Sequence, residues 1–408
     1  MDRGETFKLA VDALRAHKLR SFLTLLGVII GVASLIAVVS VVQGLNQYVA
    51  SRVMDFGSTS FQVNKFSSGF QSIDEFQKEL KRKNLTYEDF LAVQQGCAHC
   101  QLVAGVYVDQ KTIHYKNRMV EGVQLRGVTV NAPFIGTAME LASGRHFTDA
   151  DIDHARYEII LGGDVADRLF PSEDPIGKDV RVGGNTFTVI GVAVKQGTFL
   201  GSPQDVFARI PITVYTRFEN VTSQSIVIQA QAATPADMQT AMDETRVILR
   251  NRLHRMYNDE DGFAMDTAET FLEIWSSATG SIFLVMIAVV SISLVVGGIV
   301  IMNIMLVSVT ERTREIGVRR ALGARQADIL GQFLAEAVTL AAVGGLVGIL
   351  LGVGIAFLVA WLSPLPAAIK LWSVALAFLA AASIGVFFGA YPARNAAKLD
   401  PVVALRAE

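Results

Sequence analysis

Four runs of this sequence carry no formal charge over a length that can cross a lipid bilayer, and this limits the chain more than any other feature. Phe22 to Val42 is 21 residues, about 31 Å as a helix at roughly 1.5 Å per residue, against a hydrocarbon core of about 30 Å. Ile282 to Val309 is 28 residues, Ala337 to Leu362 is 26 and Leu371 to Tyr391 is 21. The second run exceeds the bilayer by about eight residues on the same scale, so it is expected to tilt or project. Composition agrees: 51% hydrophobic and 18% charged over 408 residues is greasier than an ordinary soluble protein. The net charge of −2 carries no nucleic-acid signature.

Arg15, Lys18 and Arg20 precede the first run as the basic end of a signal peptide would. The run is longer than the usual apolar region of about 7 to 15 residues, however. VSVVQGLNQ follows it in place of a small-x-small cleavage site, so it reads as an uncleaved anchor.

Lysine and arginine in short flanks set orientation. The N-terminal tail has Arg3, Lys8, Arg15, Lys18 and Arg20, the second link has Arg312, Arg314, Arg319, Arg320 and Arg325, and the C-terminal tail has Arg394, Lys398 and Arg406. The link SPLPAAIK between the third and fourth runs has only Lys370. All three basic segments, and so both termini, are therefore expected in the cytoplasm. The fold expected is an α-helical membrane protein with four transmembrane helices and a large α+β extracytoplasmic domain inserted between the first and second. Its spans cover 22–42, 281–309, 331–362 and 371–391, and the extracytoplasmic domain covers 43–280. A cytoplasmic N-terminal amphipathic segment (1–21), a cytoplasmic loop (310–330), a short outer loop (363–370) and a cytoplasmic tail (392–408) complete the chain.

Within the insert, EIILGGDVADRLF (158–170) reads as strand, Gly-Gly turn and short helix, and DVRVGGNTFTVIGV (179–192) reads as a hairpin. PADMQTAMDETRVILRNRLHRMY (235–257) has helical spacing through Met238, Met242, Val247, Leu249 and Leu253. Cys97 and Cys100, in GCAHC, are the chain's two cysteines. Outside the cytoplasm they suit a small local disulfide or an unused thiol pair. A redox site lacks its thioredoxin-like context, c-type haem would need His after the second Cys, and one CxxC is half a zinc site. In HFTDADIDH (146–154) the aspartates alternate as in a calcium loop, but His154 and Ile160 stand where an EF-hand needs Gly and Glu. Thr148 with Asp151 fits a helix start better.

No nucleophile or zinc-protease motif occurs, and the Gly177-Lys178 pair lacks the first Gly and the Ser/Thr of a phosphate loop. Catalysis by this chain is not expected, nor any bound metal or cofactor. A nucleotide-driven role would need another polypeptide.

Small residues recur at four-residue spacing: Gly27 and Gly31 in the first run, Gly344, Gly348 and Gly352 in the third, Gly385 and Gly389 in the fourth. Such stripes let helices approach closely, either within the chain or across a homodimer face. Asn303 is the most polar residue of the second run, fit for a helix-to-helix hydrogen bond or for substrate. No row of ionisable residues lines the spans, which argues against ion-coupled transport; Glu336 stands at the cytoplasmic end of the third, near arginines.

The loop VTERTREIGVRRALGARQADIL (309–330) is a charged helix by pattern. Glu315 pairs with Arg319 at i,i+4, Arg312 with Glu315 at i,i+3, and Gly323 suits its end. Val318, Ala321 and Leu322 form a small apolar patch that topology alone does not explain.

NIMLVSVTERTREIGVRRALGARQADILGQFLAEA (303–337) resembles the signature segment of MacB/FtsX-like ABC transporter permeases. LRSFLTLLGVIIGVASLIAV (19–38) is similar to the family's first span and GAYPARNAAKLDPVVALRAE (389–408) to its closing motif. SGRHFTDADI and LFPSEDPIGKDVRVGGNTFTVIGV resemble its MacB-type periplasmic core domain. The resemblance implies a permease subunit of the bacterial inner membrane, working as a homodimer or related heterodimer with a cytoplasmic ABC ATPase that holds ATP and Mg. It implies that Glu311, Arg312, Thr313, Arg314, Glu315, Ile316, Gly317, Arg319 and Gly323 form the ATPase-coupling helix. Full-length MacB carries its ATPase at the N-terminus, so the ATPase is expected on a separate chain here. The implied mechanism is mechanotransmission: ATP binding closes the helices and moves the periplasmic domains, for efflux or extraction of a lipophilic or peptide-like substrate. A periplasmic adaptor and outer-membrane duct are the partners this implies, besides membrane lipid. The alternative is a non-transporting regulator of a periplasmic cell-wall hydrolase, and a membrane-tethered redox enzyme using Cys97 and Cys100 is a third class.

Overall fold

The computed structural model describes residues 18–54, 57–69, 72–199, 201–362 and 368–406. The segment read as an amphipathic N-terminus, with Arg3, Lys8 and Arg15, lies outside the described residues up to position 17, as does the SPLPA part of the last link. The chain divides into two compact units, one of residues 1–48 with 277–408 and one of residues 49–276.

Helix α1 (Lys18–Met54) contains the first apolar run and continues well past Val42. Hydropathy marks where lipid can cover a helix, not where its hydrogen bonding stops. Val49 and Val53, one turn apart, keep an apolar face in the extension, and both are buried.

The second unit is built on one large sheet. Its elements are β1 (Ser60–Asn64), α2 (Ile73–Leu80), α3 (Tyr87–Gly96), β2 (Cys100–Tyr115), β3 (Arg118–Val128), β4 (Leu141–Gly144), α4 (Asp149–Asp153), β5 (Glu158–Leu161) and α5 (Gly163–Leu169). They continue with β6 (Asp179–Val182), β7 (Asn185–Ala193), β8 (Thr198–Phe199), β9 (Ser202–Pro203), β10 (Phe207–Pro211), α6 (Ile212–Phe218), β11 (Val227–Ala232), α7 (Met238–Arg252) and β12 (Ala264–Thr267). The strand order is β12-β1-β11-β2-β3-β10-β5-β7-β4, with β6 paired to β2 and β7, while β8 and β9 form a separate small hairpin.

The long β2–β3 hairpin is the centre, and its alternation of buried and exposed residues sets which face packs helices. A Cβ at Gly127 on β3 would lie 2.5 Å from the Tyr215 ring of α6, so only glycine admits that ring. The β6–β7 turn is carried by Gly183 and Gly184, with φ of +55° and +86°, the sign a two-residue hairpin turn demands. On α7 the buried face is Ala241, Thr245 and Leu249; Val247, counted in the apolar spacing, is instead exposed. The aspartates of HFTDADIDH start α4: Thr148 donates to Asp151 Oδ2 from its N–H (2.9 Å) and its Oγ1 (2.7 Å). Arg145 and Arg156 flank the same carboxylate at 2.6 and 3.0 Å.

The remaining helices belong to the first unit: α8 (Ala268–Glu311, whose first turns lie before residue 277), α9 (Thr313–Ala321), α10 (Gln326–Leu362), α11 (Leu371–Ala397) and α12 (Pro401–Arg406). Four helices among the described residues are long and apolar enough to cross a membrane, namely those holding the four uncharged runs. Their buried side chains form a core of their own, including Val32, Ile36, Ile301, Phe333 and Ala341.

Candidate functional site

Within 309–330 the end of α8, the short helix α9 and the start of α10 follow one another, with a turn at 322–325. Helix α8 stops at Glu311, and Arg312, at φ −105° and ψ 15°, breaks the run before α9 begins. This displaces one expected contact. Arg312 caps α9, its carbonyl accepting the Ile316 N–H at 3.0 Å, but its side chain turns from Glu315 to α10, where Nη1 reaches Glu336 Oε2 at 3.3 Å. The Glu315–Arg319 pair is present at 2.5 Å, and the second arm of Arg319 donates to Gln332 Oε1 at 2.7 Å.

Gly323, at φ +97°, ends α9, a conformation in which a side chain would be strained. The N–H groups of Gly323 and Ala324 turn back to the carbonyls of Arg320 and Arg319, each at 3.1 Å. Asp328 Oδ2 accepts the Arg325 N–H at 2.9 Å and opens α10.

The two sides of α9 differ. Ile316 and Gly317 are buried, Ile316 within the core of the long apolar helices, and α9 also packs against α12. Arg314, Glu315, Val318, Ala321 and Leu322 are exposed, Leu322 by 84%. Glu311 is also exposed, while Arg312 and Thr313 are half-buried. The outer surface is thus a ring of both charge signs around apolar Val318 and Leu322.

The seven glycines of the stripes each meet another helix of the same unit. A Cβ on Gly27 would come within 2.7 Å of Gly297 Cα on α8, and one on Gly31 within 2.6 Å of Leu294. Gly344, Gly348 and Gly352 face α1 at Val28, Val32 and Ile36, at 3.4, 2.8 and 2.8 Å. Gly385 and Gly389 face α10 at Ala341 and Ala337, at 2.7 and 2.4 Å. Asn303, by contrast, is exposed on α8. Cys97 and Cys100 are joined by a disulfide between α3 and β2, in the other unit, and it packs beside Thr245 of α7.

Gly297, Gln332 and α12 did not stand out in the sequence. Gly297 has no glycine four residues away, and the weaker signal that could have found it is Ser293 at that spacing. Asp400-Pro401 is a legible helix start, and Asp400 Oδ1 accepts the Val402 N–H at 2.9 Å.

Two family models match the chain: the MacB-like periplasmic core domain over residues 21–248 and the FtsX-like permease C-terminal over residues 268–401. The Macrolide export ATP-binding/permease protein MacB 2 of Yersinia pestis bv. Antiqua (strain Antiqua) is 35% identical over 406 residues, covering 99% of this chain and 58% of that protein. The Macrolide export ATP-binding/permease protein MacB of Rhodospirillum rubrum is 38% identical over 416 residues, covering 99% of this chain and 60% of its own length. The chain thus spans about three fifths of the length of these curated relatives. A crystal structure of the periplasmic region of MacB from Actinobacillus actinomycetemcomitans superposes with a TM-score of 0.45 at 16% identity, over 56% of this chain and 97% of that one.

Proposed function

The chain belongs to the MacB/FtsX-like family of ABC transporter permeases, and from that premise we propose that it transmits the ATPase cycle of a cytoplasmic partner to its inserted domain. Four membrane helices and this family make it a bacterial inner-membrane protein. In our reading both termini and α9 are cytoplasmic, the insert is periplasmic, and two copies work with two ATPase subunits that hold ATP and Mg. The stroke serves efflux or extraction of a lipophilic or peptide-like substrate, with a periplasmic adaptor as the outer partner.

One observation carries the coupling role of α9. Its inner side is anchored by Ile316, Arg319–Gln332 and Arg312–Glu336, while its outer side leaves Val318 and Leu322 uncovered among charges. A rigidly held helix with an uncovered apolar centre and a charged rim suits a partner that must push on it. Glu311, Arg314 and Glu315 would set register on the ATPase, and Gly317 and Gly323 the packing and end of the helix. No observation favours the cell-wall-hydrolase regulator.

The test is co-purification with the ABC ATPase and measurement of ATP hydrolysis, for wild type and for Glu315→Arg with Arg319→Glu. The exchange keeps an i,i+4 pair but inverts the charges shown to the partner. Loss of the complex, or of most of the stimulated hydrolysis, in a folded variant is the expected result. Normal stimulation would return these residues to surface charge, and a wild type that binds no ATPase would remove the coupling role.

A further inference from the structure

In the inserted domain, strand register places Gln62 of β1 beside Gln229 of β11, and Arg126 of β3 beside Arg209 of β10. On β2, Ala104 is the register neighbour of Gln229 and Val108 that of Arg126, so the glutamine row and the arginine row stand four residues apart on the same side of that strand. All four polar side chains therefore share one sheet face, opposite the face on which Gly127 meets Tyr215. They line a cavity of about 470 Å³ whose remaining wall includes Ile135 and Met139 from one stretch of chain and Gln196 and Phe199 from a second. Asp205 fixes that second wall, its two carboxylate oxygens accepting the N–H groups of Gln196 (2.8 Å) and Gly197 (2.7 Å).

The charge here is unbalanced. Like charges directly opposite on neighbouring strands destabilise a sheet. The two guanidinium carbons nevertheless lie 5.2 and 5.5 Å from the Phe207 ring centre. Arg126 donates to Gln124 Oε1 at 2.8 Å, but neither arginine pairs with a carboxylate among the described residues. Nε and Nη1 of Arg209 are buried without a hydrogen-bond partner, and so is Nδ1 of His146. Burial and the neighbouring Arg126 draw Arg209 down to about 9, so it remains charged at neutral pH. Burial and Arg209 likewise depress His146 and keep it neutral. A water molecule would satisfy the open nitrogens but not the repulsion; an anion does both.

We propose that this cavity binds an amphipathic organic anion, its carboxylate or phosphate head between Arg126 and Arg209 and its apolar body against Ile135, Met139 and Phe199. The volume is within the range of about 300 to 1,000 Å³ usual for sites of small organic ligands. The two glutamines offer further hydrogen bonds to a polar portion of that body. The site is tested independently of the coupling contact, because binding is read directly and no ATPase is needed.

The test is calorimetric titration of the full chain in phosphatidylcholine nanodiscs with octyl phosphate and with octanoate. Octanol and inorganic phosphate serve as controls for tail and head alone. Saturable one-to-one binding of at least one anion is expected, weakened about tenfold or more by Arg126→Gln and by Arg209→Gln. Preference for octyl phosphate or for octanoate would identify the head group, either result supporting the site. No saturable binding of either anion, unchanged binding in both variants, or equal binding of octanol or of inorganic phosphate would overturn the proposal. Without ligand, Arg209→Gln should melt no lower than wild type, since it removes a repulsion; a melt several degrees lower would make Arg209 a structural residue and also overturn it.

Discussion

Arg312, in the break between α8 and α9, reaches Glu336 on α10 across 24 positions of sequence, with Nη1 3.3 Å from Oε2. The glutamate side chain is 13% exposed and the arginine 35%, so the pair is half-buried rather than a surface ion pair. Removing one partner leaves the other poorly solvated. Glu336→Ala and Arg312→Ala should each cost about 1–3 kcal/mol, less than for a fully buried pair because Arg312 remains partly solvated. A double-mutant cycle on thermal unfolding in detergent should show a coupling energy of about 1 kcal/mol or more. Simple additivity would mean that the contact contributes nothing.

Glycine packing gives a graded prediction. At Gly27 the obstacle to a side chain is the Gly297 backbone, which cannot swing away, whereas at Gly31 it is the flexible end of Leu294. Gly27→Ala should therefore destabilise more than Gly31→Ala. At Gly354, in the same unit, an added methyl would meet nothing within 4 Å, so Gly354→Ala should be neutral or gain up to about 1 kcal/mol from helix propensity. Melting temperatures of the three variants in one detergent decide the order.

Asp151 provides the pH dependence. Burial opposes its charge, but the Arg145 guanidinium and the two donors of Thr148 outweigh burial and hold its carboxyl well below the usual range. A carboxylate whose folded pKa is depressed stabilises above its unfolded pKa and loses that contribution as pH falls toward the folded value. Asp151→Asn should cost about 1–3 kcal/mol, since both arginines are partly solvated. In calorimetry the gap between wild type and variant should stay constant from about pH 7 to 5 and narrow only below about pH 4. Narrowing already near neutral pH would show that another group is titrating.

The disulfide closes a very short loop, from Cys97 to Cys100. Constraint of the unfolded chain by so small a ring amounts to about 2 kcal/mol at most. C97S/C100S should melt a few degrees lower, while ATPase binding and stimulation, measured as for the proposed coupling contact, should be the same for wild type and variant. Loss of activity in a fully assembled variant would favour redox use of the pair.

What the sequence revealed, and what it hid, follows from the range of each signal. The four apolar runs are local in sequence and long, and each proved to lie in one helix. The Glu315–Arg319 pair and the Gly323 stop are also local, and both could be read from spacing. The position of Glu336 at the end of its run already put it near arginines, but that Arg312 is the partner, and that Arg319 reaches Gln332, depends on how separate helices pack. Gly27 was visible as half of a stripe, but its partner Gly297 has only Gly298 beside it and required the fold to find. Arg126 and Arg209 lie 83 positions apart, and only strand register brings them together.

Helix α10 runs without a break from Gln326 to Leu362. Gln332 and Glu336 near its start engage the charged loop, while Gly344, Gly348 and Gly352 farther along engage α1. On a continuous α-helix these two sets of contacts share one rotational phase, because each residue advances the azimuth by about 100°. A single residue inserted between Glu336 and Gly344 would leave every side chain intact yet turn one set of contacts away from its partner. The helix therefore acts as a keyed shaft, and the loop's orientation cannot change without a twist being felt where α10 meets α1.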